Sequence, residues 1–500
     1  MFNIIKLNEK DNIGIAPMDI PINVDLNIGI KSKTKVPYGH KISLKDIRKG
    51  EFIFRFGQII GISSFDIKQG EHVHSHNLSF SDFDRDYNNN FDKKLPKYHK
   101  DNIFFKGFKR NNGSSGTRNY IGLLSTVNCS ATVVKKIADK INLQLKKTCF
   151  LNIDGAVCLK HSSGCGMNNT GYGMNVFNRT IEGFKIHPNF AKVYVIGLGC
   201  ECAQISLYNN DQLNKNVEYL NIQDEGGTNE IVNKVSIKII DQLEYINSVK
   251  RTDIPVSELT LALQCGGSDS YSGITANPAL GIASDKLVDN GGSSILSETT
   301  EIYGGEHLLY ERAISKLNVD KIEKQIEWWK KYLQKNNSTL DNNPSPGNKK
   351  GGLTTILEKS LGAVAKSGTR PLVDVLDYAE KLKIKGFNFM NSPGYDPVSV
   401  TGQVASGANI ICFTTGRGSC FGFKPAPSIK IASNSNMFNK LEEDMDINAG
   451  TIMDNLKSLD EVGQEIFDKI ISVASGEKSK SEINEYGDDE FNPWIIGPTL

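Results

Sequence analysis

The segment 263–269 (Leu-Gln-Cys-Gly-Gly-Ser-Asp) gathers a thiol, a hydroxyl, a carboxylate and an amide around two adjacent glycines. It follows the apolar run 259–263, which is typical of a buried strand. Adjacent glycines let backbone amides approach a ligand, and open α/β sheets bind ligands at the carboxyl ends of their strands. The segment therefore predicts part of an active site, although an ordinary turn with a buried cysteine has the same composition.

Three further segments place a cysteine beside glycine, histidine, asparagine or glutamate, namely 127–130, 161–166 and 197–201. Thiolate and imidazole are soft and borderline metal ligands that suit iron. A single cysteine is more often a small buried core residue than a ligand. The repeated context nevertheless predicts that several strand ends deliver metal ligands to one place. The candidate ligands are Cys129, His161, Cys165, Cys200 and Cys265.

Three of the eight histidines lie in 72–77 (His-Val-His-Ser-His-Asn). In an extended segment residues 72, 74 and 76 share one face, at steps of about 7 Å. Such an array is suited to metal binding or proton transfer, and an edge strand with solvated histidines is the alternative.

Two regions carry candidate groups for binding an anion. The segment 337–352 is a long loop rich in Pro, Gly and Asn, and it contains Lys349. A loop of that length is either functional or a surface crossover. Arg417 lies between two glycines after the strand-like run 410–415, so its guanidinium is accessible to a carboxylate or phosphate. No Walker loop occurs, which argues against nucleotide binding.

The composition excludes several classes of protein. With a net charge of +1 and no basic patch, the chain is not expected to bind nucleic acid or a membrane surface. No apolar run approaches the roughly 20 residues of a membrane span, and no signal peptide is evident. Nine cysteines, an odd number, favour reduced thiols in the cytoplasm.

The 500 residues divide by pattern into distinct regions. Residues 1–80 predict a small β-rich module, and the polar stretch 81–103 predicts a linker. Apolar runs at 121–125, 193–198, 259–264 and 293–296 alternate with helical stretches at 133–141 and, as one longer helix, at 306–335. This alternation predicts a two-part α/β body, 104–250 and 251–500, with mainly parallel, Rossmann-like sheets.

These strings together resemble the altronate dehydratase/galactarate dehydratase family, also called altronate hydrolases, over nearly the whole chain. In the N-terminal module the resemblance to a SAF domain is carried by Gly39-His40-Lys41 and 72–77. In the body it is carried by the cysteine segments and by 113–119, 264–269, 343–349, 414–418 and 444–450. Within the family, 72–77 and 392–397 (Ser-Pro-Gly-Tyr-Asp-Pro) resemble the altronate type.

The resemblance implies a hydro-lyase that converts D-altronate to 2-keto-3-deoxy-D-gluconate in hexuronate breakdown, with Fe(II), or Mn(II) as a substitute. It implies a small sugar acid as substrate, acted on by a single chain or a homo-oligomer. His40, His74 and His76 are then candidates for proton transfer or metal binding. The remaining candidates are Ser268, Asp269 and Glu298 for positioning hydroxyls, and Lys349 and Arg417 for the carboxylate.

Three alternatives stay open at this point. The substrate is galactarate or another hydroxy acid of the same family. The thiols hold an iron–sulfur cluster, although no Cys-x-x-Cys spacing is present. The chain is a non-catalytic sugar-acid sensor, for which no DNA-binding helix pair is evident.

Overall fold

The structure is a computed structural model that describes residues 3–26, 29–83, 103–209 and 216–498. The linker predicted at 81–103 lies almost wholly outside these residues. The remaining chain folds as an N-terminal module, a central domain and a C-terminal domain.

The N-terminal module consists of short antiparallel strands. Its two sheets have three strands each, in the orders β1-β2-β5 and β3-β4-β6. Isoleucine and valine, β-branched residues that are enriched in strands, make up most of its core. The strands are β1 (Ile13–Ile15), β2 (Lys41–Ser43), β3 (Phe52–Arg55), β4 (Gln58–Ser63), β5 (His72–Val73) and β6 (Leu78–Ser79).

The central domain contains a parallel sheet of order β10-β9-β11-β12, here called the central sheet. Leu123 packs with α1 and α3 on one face and Leu124 packs with α2 on the other, which explains why β9 is buried throughout. The elements are β7 (Phe104–Lys109), β8 (Ser115–Gly116), β9 (Tyr120–Ser125), α1 (Ala131–Leu145), β10 (Gly155–Leu159), α2 (Tyr172–Lys185), β11 (Phe190–Gly197), β12 (Val217–Asn221) and α3 (Thr228–Ser248).

The C-terminal domain contains a seven-stranded parallel sheet of order β16-β17-β15-β14-β18-β19-β20, here called the C-terminal sheet. A further strand, β13 (Thr252–Pro255), pairs with β7. The sheet strands are β14 (Thr260–Cys265), β15 (Ser293–Leu296), β16 (Leu372–Leu376), β17 (Phe387–Met390), β18 (Ile410–Thr415), β19 (Ser428–Ala432) and β20 (Ile447–Asn448). The predicted fold class, a β-rich module followed by an α/β body with parallel sheets, is confirmed.

The helices of this domain differ in two respects from the sequence prediction. The predicted helix over 306–335 is two helices, because Ser315 accepts a hydrogen bond from Asn318 N and starts a new one. The predicted loop 337–352 also contains a short capped helix, α7. The helices are α4 (Ala276–Asp289), α5 (His307–Tyr310), α6 (Lys316–Lys335), α7 (Pro346–Lys350), α8 (Ile356–Ala365), α9 (Asp396–Ala405), α10 (Ser435–Lys440), α11 (Leu459–Ala474) and α12 (Lys480–Ile483).

Candidate active site

Buried ionisable side chains meet at the carboxyl edge of the C-terminal sheet. Cys265 is the last residue of β14, and Glu298 follows the end of β15. With Glu301 they form a buried group whose ligand atoms, one from each side chain, all lie within 4.8 Å of one another. Within the described ranges of the chain, no other set of histidine, cysteine and acidic residues has this spacing. A thiol and two carboxylates suit a divalent transition metal.

The turn after β15 places both carboxylates. Glu298 has a φ of 72°, in the left-handed region that residues other than glycine rarely occupy. Its N–H donates to Ser392 Oγ at 2.9 Å, and the 3-10 turn Thr299–Glu301 follows at once. Such backbone strain costs on the order of 1–3 kcal/mol and concentrates at functional sites. The turn therefore indicates a binding site rather than an ordinary loop.

Each of the two carboxylates has one oxygen with partners and one without. Glu298 Oε1 accepts from Gln264 Nε2 at 2.7 Å, and Glu301 Oε1 accepts from Asn343 Nδ2 at 2.7 Å and Lys359 Nζ at 2.5 Å. Glu298 Oε2 and Glu301 Oε2 are buried without a hydrogen-bond partner. A buried oxygen in that state is costly, and a bound cation would satisfy both. The residues present therefore fit a divalent metal.

The two carboxyl groups differ in the direction of their pKa shifts. Burial and the neighbouring Glu301 raise the pKa of Glu298 well above its ordinary value. Burial alone would also raise the pKa of Glu301, but Lys359 lowers it overall. A cation between the two carboxylates would reverse the shift at Glu298, because bound metal ions are the largest local charges in such sites.

Two lysines and an aspartate surround this group. Lys366 Nζ donates to Cys265 Sγ at 2.8 Å. Burial would lower the pKa of Lys366, but Cys265 and Glu298 raise it overall, so the ammonium form is retained. Asp396, the first residue of α9, accepts from Gln264 Nε2 at 3.2 Å. Burial and Glu301 raise the pKa of Asp396 to about 6. The site thus combines a proton donor with a carboxyl that titrates close to neutral pH.

A glycine is required beside Asp396. A Cβ on Gly266 would lie 2.3 Å from Asp396 Oδ2. The first glycine of the pair that follows Cys265 is therefore explained by the close approach of this carboxylate.

The N-terminal module covers the site. Lys41 Nζ lies 2.8 Å from Glu358 Oε1, and Arg55 also bonds this carboxylate, with all three side chains buried. Arg55 Nη2 donates to Ser270 O at 2.6 Å. Burial would raise the pKa of Glu358, but Lys41 and Arg55 lower it to about 2. This buried ion cluster, across the boundary between module and body, fixes the module against α8.

The module's histidines lie against the end of α7. His40 Nδ1 is 3.0 Å from His72 Nε2, and His40 Nε2 and His74 Nε2 lie 3.2 and 2.9 Å from the carbonyl oxygens of Lys350 and Lys349. The His72 and His76 rings are 5.2 Å apart. Burial is the main cause that lowers the pKa of His72 to about 3 and of His74 to about 4, so these rings are neutral.

The backbone of this histidine segment differs from the expected extended strand. β5 ends at Val73, because Asn77 Oδ1 accepts from His74 N at 2.9 Å and Asn77 Nδ2 donates to His72 O, which closes a turn. The rings still cluster, joined by His40 from β2.

The space between module and body is small. A cavity of about 10 Å³ is lined by Arg55 and Phe56 of the module and by Cys265 and Lys359 of the body, among others. That volume holds about one water molecule. A larger cavity of about 350 Å³ lies at the opposite edge of the C-terminal sheet, where Thr260 and Ser293 begin their strands. It is remote from the Cys265–Glu298–Glu301 group, so its size does not mark the site of chemistry.

The four other residues of the body that were predicted to be catalytic differ in burial and in hydrogen bonding. Asp269 is buried and accepts hydrogen bonds from Ser272, Ser433 and Asn434, so its carboxylate is already saturated. The carbonyl of Ser268 accepts from the side chain of Asn348, in the middle of α7. The Lys349 side chain is half-buried and Arg417 is exposed. These placements leave the proposed roles of the four residues as predictions.

The structure separates four predicted metal ligands from Cys265. Cys129, His161, Cys165 and Cys200 follow β9, β10 and β11 at the carboxyl edge of the central sheet. The three cysteines are exposed. His161 is buried, and its ring nitrogens bond Ser125 O at 2.9 Å and Ser163 N at 3.2 Å. Both nitrogens are therefore occupied by the backbone of neighbouring loops.

The sequence reading missed several residues of the site. Glu301 had a signal, because it stands three residues after Glu298 directly behind a predicted strand. Asp396 lies in the segment 392–397 that carried the family resemblance. Lys359 lies in the buried helix α8 and Lys366 directly follows its last residue, seven positions later, a spacing of about two helical turns. Charged residues in a segment that is otherwise typical of a buried helix could have identified these two lysines as site residues.

Three family models match successive parts of the chain. The altronate/galactarate dehydratase SAF domain matches 2–81, the second domain of D-galactarate dehydratase/altronate hydrolase matches 107–247, and the C-terminal domain of D-galactarate/altronate dehydratase matches 256–499. The resemblance to this family, including the SAF domain, is confirmed.

Curated relatives match the chain end to end. The altronate dehydratase of Bacillus subtilis (strain 168) is 35% identical over 494 residues, which is 97% of this chain and 98% of the relative. That of Escherichia coli (strain K12) is 34% identical over 494 residues, 96% of this chain and 97% of the relative. The galactarate dehydratase (L-threo-forming) of Escherichia coli (strain K12) is 35% identical over 487 residues, 95% of this chain and 93% of the relative. This chain therefore belongs to the D-galactarate/altronate dehydratase family, whose members are hydro-lyases.

Proposed function

We propose that the chain removes water from D-altronate to give 2-keto-3-deoxy-D-gluconate, using Fe(II), or Mn(II) in its place, held by Cys265, Glu298 and Glu301. The observation that supports the metal most strongly is the pair of buried carboxylate oxygens without partners on Glu298 and Glu301. Iron and manganese both accept carboxylate ligands, and the thiol favours iron.

The chemical difficulty is removal of a proton next to a carboxylate, because the product of that step carries additional negative charge. A divalent metal, when bound, supplies positive charge that stabilises it and orients the substrate. The positive charge of Lys359 beside Glu301 holds that carboxylate ionised and ready to act as a ligand.

Two residues of the chain have positions suited to the proton transfers. The Asp396 carboxylate takes the proton from C2, and the Lys366 ammonium gives a proton to the C3 hydroxyl, which leaves as water. The resulting enol becomes the 2-keto acid when a proton returns to C3. Gln264 donates to both Glu298 and Asp396, so it orients both carboxylates.

The choice of altronate rests on sequence. The segments 72–77 and 392–397 resemble the altronate type, and the altronate dehydratase of Bacillus subtilis is matched over 98% of its length. Galactarate is the second candidate, since the galactarate dehydratase is matched at the same 35% identity. The two substrates differ in the configuration of their hydroxyl-bearing carbons and at C6, which is a carboxylate only in galactarate.

A substrate panel tests both parts of the proposal. The metal-stripped chain is supplied anaerobically with Fe(II), Mn(II) or no metal, and 2-keto acid is measured with D-altronate and galactarate. We expect metal-dependent turnover with a higher kcat/KM for D-altronate. Faster turnover of galactarate would overturn the substrate choice alone. Absence of turnover with either metal would overturn the function and favour a sensor.

The cytoplasmic location stays a prediction. All nine cysteines are free, which agrees with a reducing compartment. Among the helices that the structure describes, none is long and apolar enough to cross a membrane.

A further inference from the structure

Four exposed cysteines follow three strands at the carboxyl edge of the central sheet, and the proposed dehydration does not use them. Cys129 follows β9, Cys165 follows β10, and Cys200 and Cys202 follow β11. Free cysteine is among the most buried residue types in proteins. Four exposed thiols at one sheet edge therefore require an explanation other than core packing.

Backbone contacts hold the three loops against one another. Asn128 N, next to Cys129, donates to Ser163 O at 2.9 Å, and Ala203 N donates to Gly164 O at 3.1 Å. Gly164 has a φ of +96°, and a Cβ there would lie 2.0 Å from Thr126 O. Because neighbouring Cα atoms are about 3.8 Å apart, Cys129 and Cys165 each lie one or two residues from a direct loop-to-loop contact.

The buried polar residues Glu201 and His161 at this edge form hydrogen bonds that hold the loops. Glu201 accepts from Thr126 Oγ1 at 2.7 Å and from Gly199 N at 2.6 Å. His161 bonds Ser125 O and Ser163 N, as described above. Both side chains are buried. Their polar atoms bond the neighbouring loops. The exposed thiols are therefore the groups at this edge that remain accessible to a ligand.

One thiol has a side-chain partner of its own. Gln223 Nε2 donates to Cys200 Sγ at 3.6 Å. Gly199 has a φ of +124°, a conformation that favours glycine, and it lies close to Gln223, because a Cβ there would be 2.6 Å from Gln223 Oε1. Amide hydrogen bonds to sulfur are one means by which proteins tune iron–sulfur centres. This distinguishes Cys200 from Cys202, for which the structure gives no such donor.

We propose that Cys129, Cys165 and Cys200 bind an iron–sulfur cluster at the carboxyl edge of the central sheet. A single tetrahedral metal, with metal–sulfur bonds of about 2.3 Å, would hold its sulfurs about 3.8 Å apart. The three sulfur atoms do not all lie within 4.8 Å of one another, so they are too far apart for one metal ion. A [4Fe–4S] cluster accepts wider spacing, because each thiolate binds a different iron.

This site is separate from the Cys265–Glu298–Glu301 group, and its test does not depend on activity. The full chain is purified anaerobically, and iron, acid-labile sulfide and visible absorption are measured. We expect acid-labile sulfide and a broad visible absorption band in the unmodified chain. Cys129→Ser, Cys165→Ser and Cys200→Ser should each abolish most of both signals. The melting temperature of the metal-free variants, measured alongside, should not change, since the thiols are exposed.

Two matched variants sharpen the assignment. Cys149→Ser alters an exposed thiol at the opposite edge of the same sheet, and Cys202→Ser alters the neighbour of Cys200. Both should retain the cluster. Iron without sulfide, or a disulfide among these thiols in place of metal, would overturn the proposal. Equal loss of the cluster in Cys202→Ser would overturn the assignment of three ligands.

Discussion

The carboxyl edges of the two parallel sheets use buried polar groups in opposite ways. At the C-terminal sheet, Glu298 and Glu301 are 1% and 3% exposed, and each keeps one oxygen without a partner. At the central sheet, Glu201 and His161 are also buried, but their polar atoms are bonded to neighbouring loops. Burial of a charged residue is therefore a poor sign of a reactive site by itself. A buried polar atom left without a partner is the better sign.

The largest effect is expected at Glu298. Glu298→Gln keeps the acceptor for Gln264 and removes a carboxylate that has no cationic hydrogen-bond partner in the structure. Turnover should fall on the order of 10³-fold, as for loss of a major charge-stabilising group. The melting temperature of the metal-free protein should hold, because burial and Glu301 raise the pKa of Glu298 and so already disfavour its charged form, and the amide keeps the size of the side chain. Steady-state kinetics and thermal unfolding check this, with the exposed Glu327→Gln as control; full activity in Glu298→Gln would contradict the site.

Glu358 tests whether the SAF domain is fixed by the buried ion cluster. Glu358→Gln leaves Lys41 and Arg55 buried without a counter-charge, and should cost about 3–5 kcal/mol of unfolding free energy. Denaturant unfolding measures the loss. A change below 1 kcal/mol would mean that apolar contacts alone hold the domain.

The same carboxylate predicts acid sensitivity. Its folded pKa of about 2 lies below the unfolded value of about 4.3. This stabilisation is fully present above the unfolded value, and is lost as the pH falls from about 5 through the folded pKa. The loss amounts to on the order of 3 kcal/mol. Between about pH 5 and the folded pKa, the unfolding free energy of Glu358→Gln should fall by about 3 kcal/mol less than that of the unmodified chain. An equal fall in both proteins would refute this prediction.

The sequence predicted the positions of the strands better than the partners of the side chains. The apolar runs at 121–125 and 193–198 correspond closely to β9 and β11, because burial on both faces of a parallel sheet favours continuous apolar residues. Cys265 and Glu298 were predicted for the same reason, as polar residues just behind such runs. Lys366 was missed, because its contact with Cys265 spans 101 positions.

The metal prediction shows the same limit. Cys265 ends β14 and Cys129 closely follows β9, but the two strands belong to different sheets. Periodicity identifies strand ends and does not say which sheet each strand joins. The single ligand set predicted from the sequence therefore spans two separate edges of the structure.

His161 should affect stability. His161→Ala leaves Ser125 O and Ser163 N without their buried partner, and should cost about 2 kcal/mol of unfolding free energy. Chemical denaturation checks this. A variant of unchanged stability would show that the ring is not needed to hold the loops.

The smallest effect is expected at Cys129. In the metal-free chain Cys129→Ser should change the unfolding free energy by no more than about 0.5 kcal/mol, since the side chain is exposed. A larger loss would show that the Cys129 side chain contributes to packing and is not simply an exposed thiol.

The central claim is that Cys265, Glu298 and Glu301 bind the metal on which dehydration depends. Mn(II) binding to the metal-stripped chain, followed by electron paramagnetic resonance, measures this without reference to turnover. We expect one tight site in the unmodified chain and in Glu327→Gln, and loss of that site in Cys265→Ser, Glu298→Gln and Glu301→Gln. Tight Mn(II) binding of unchanged stoichiometry in all three variants would contradict the account.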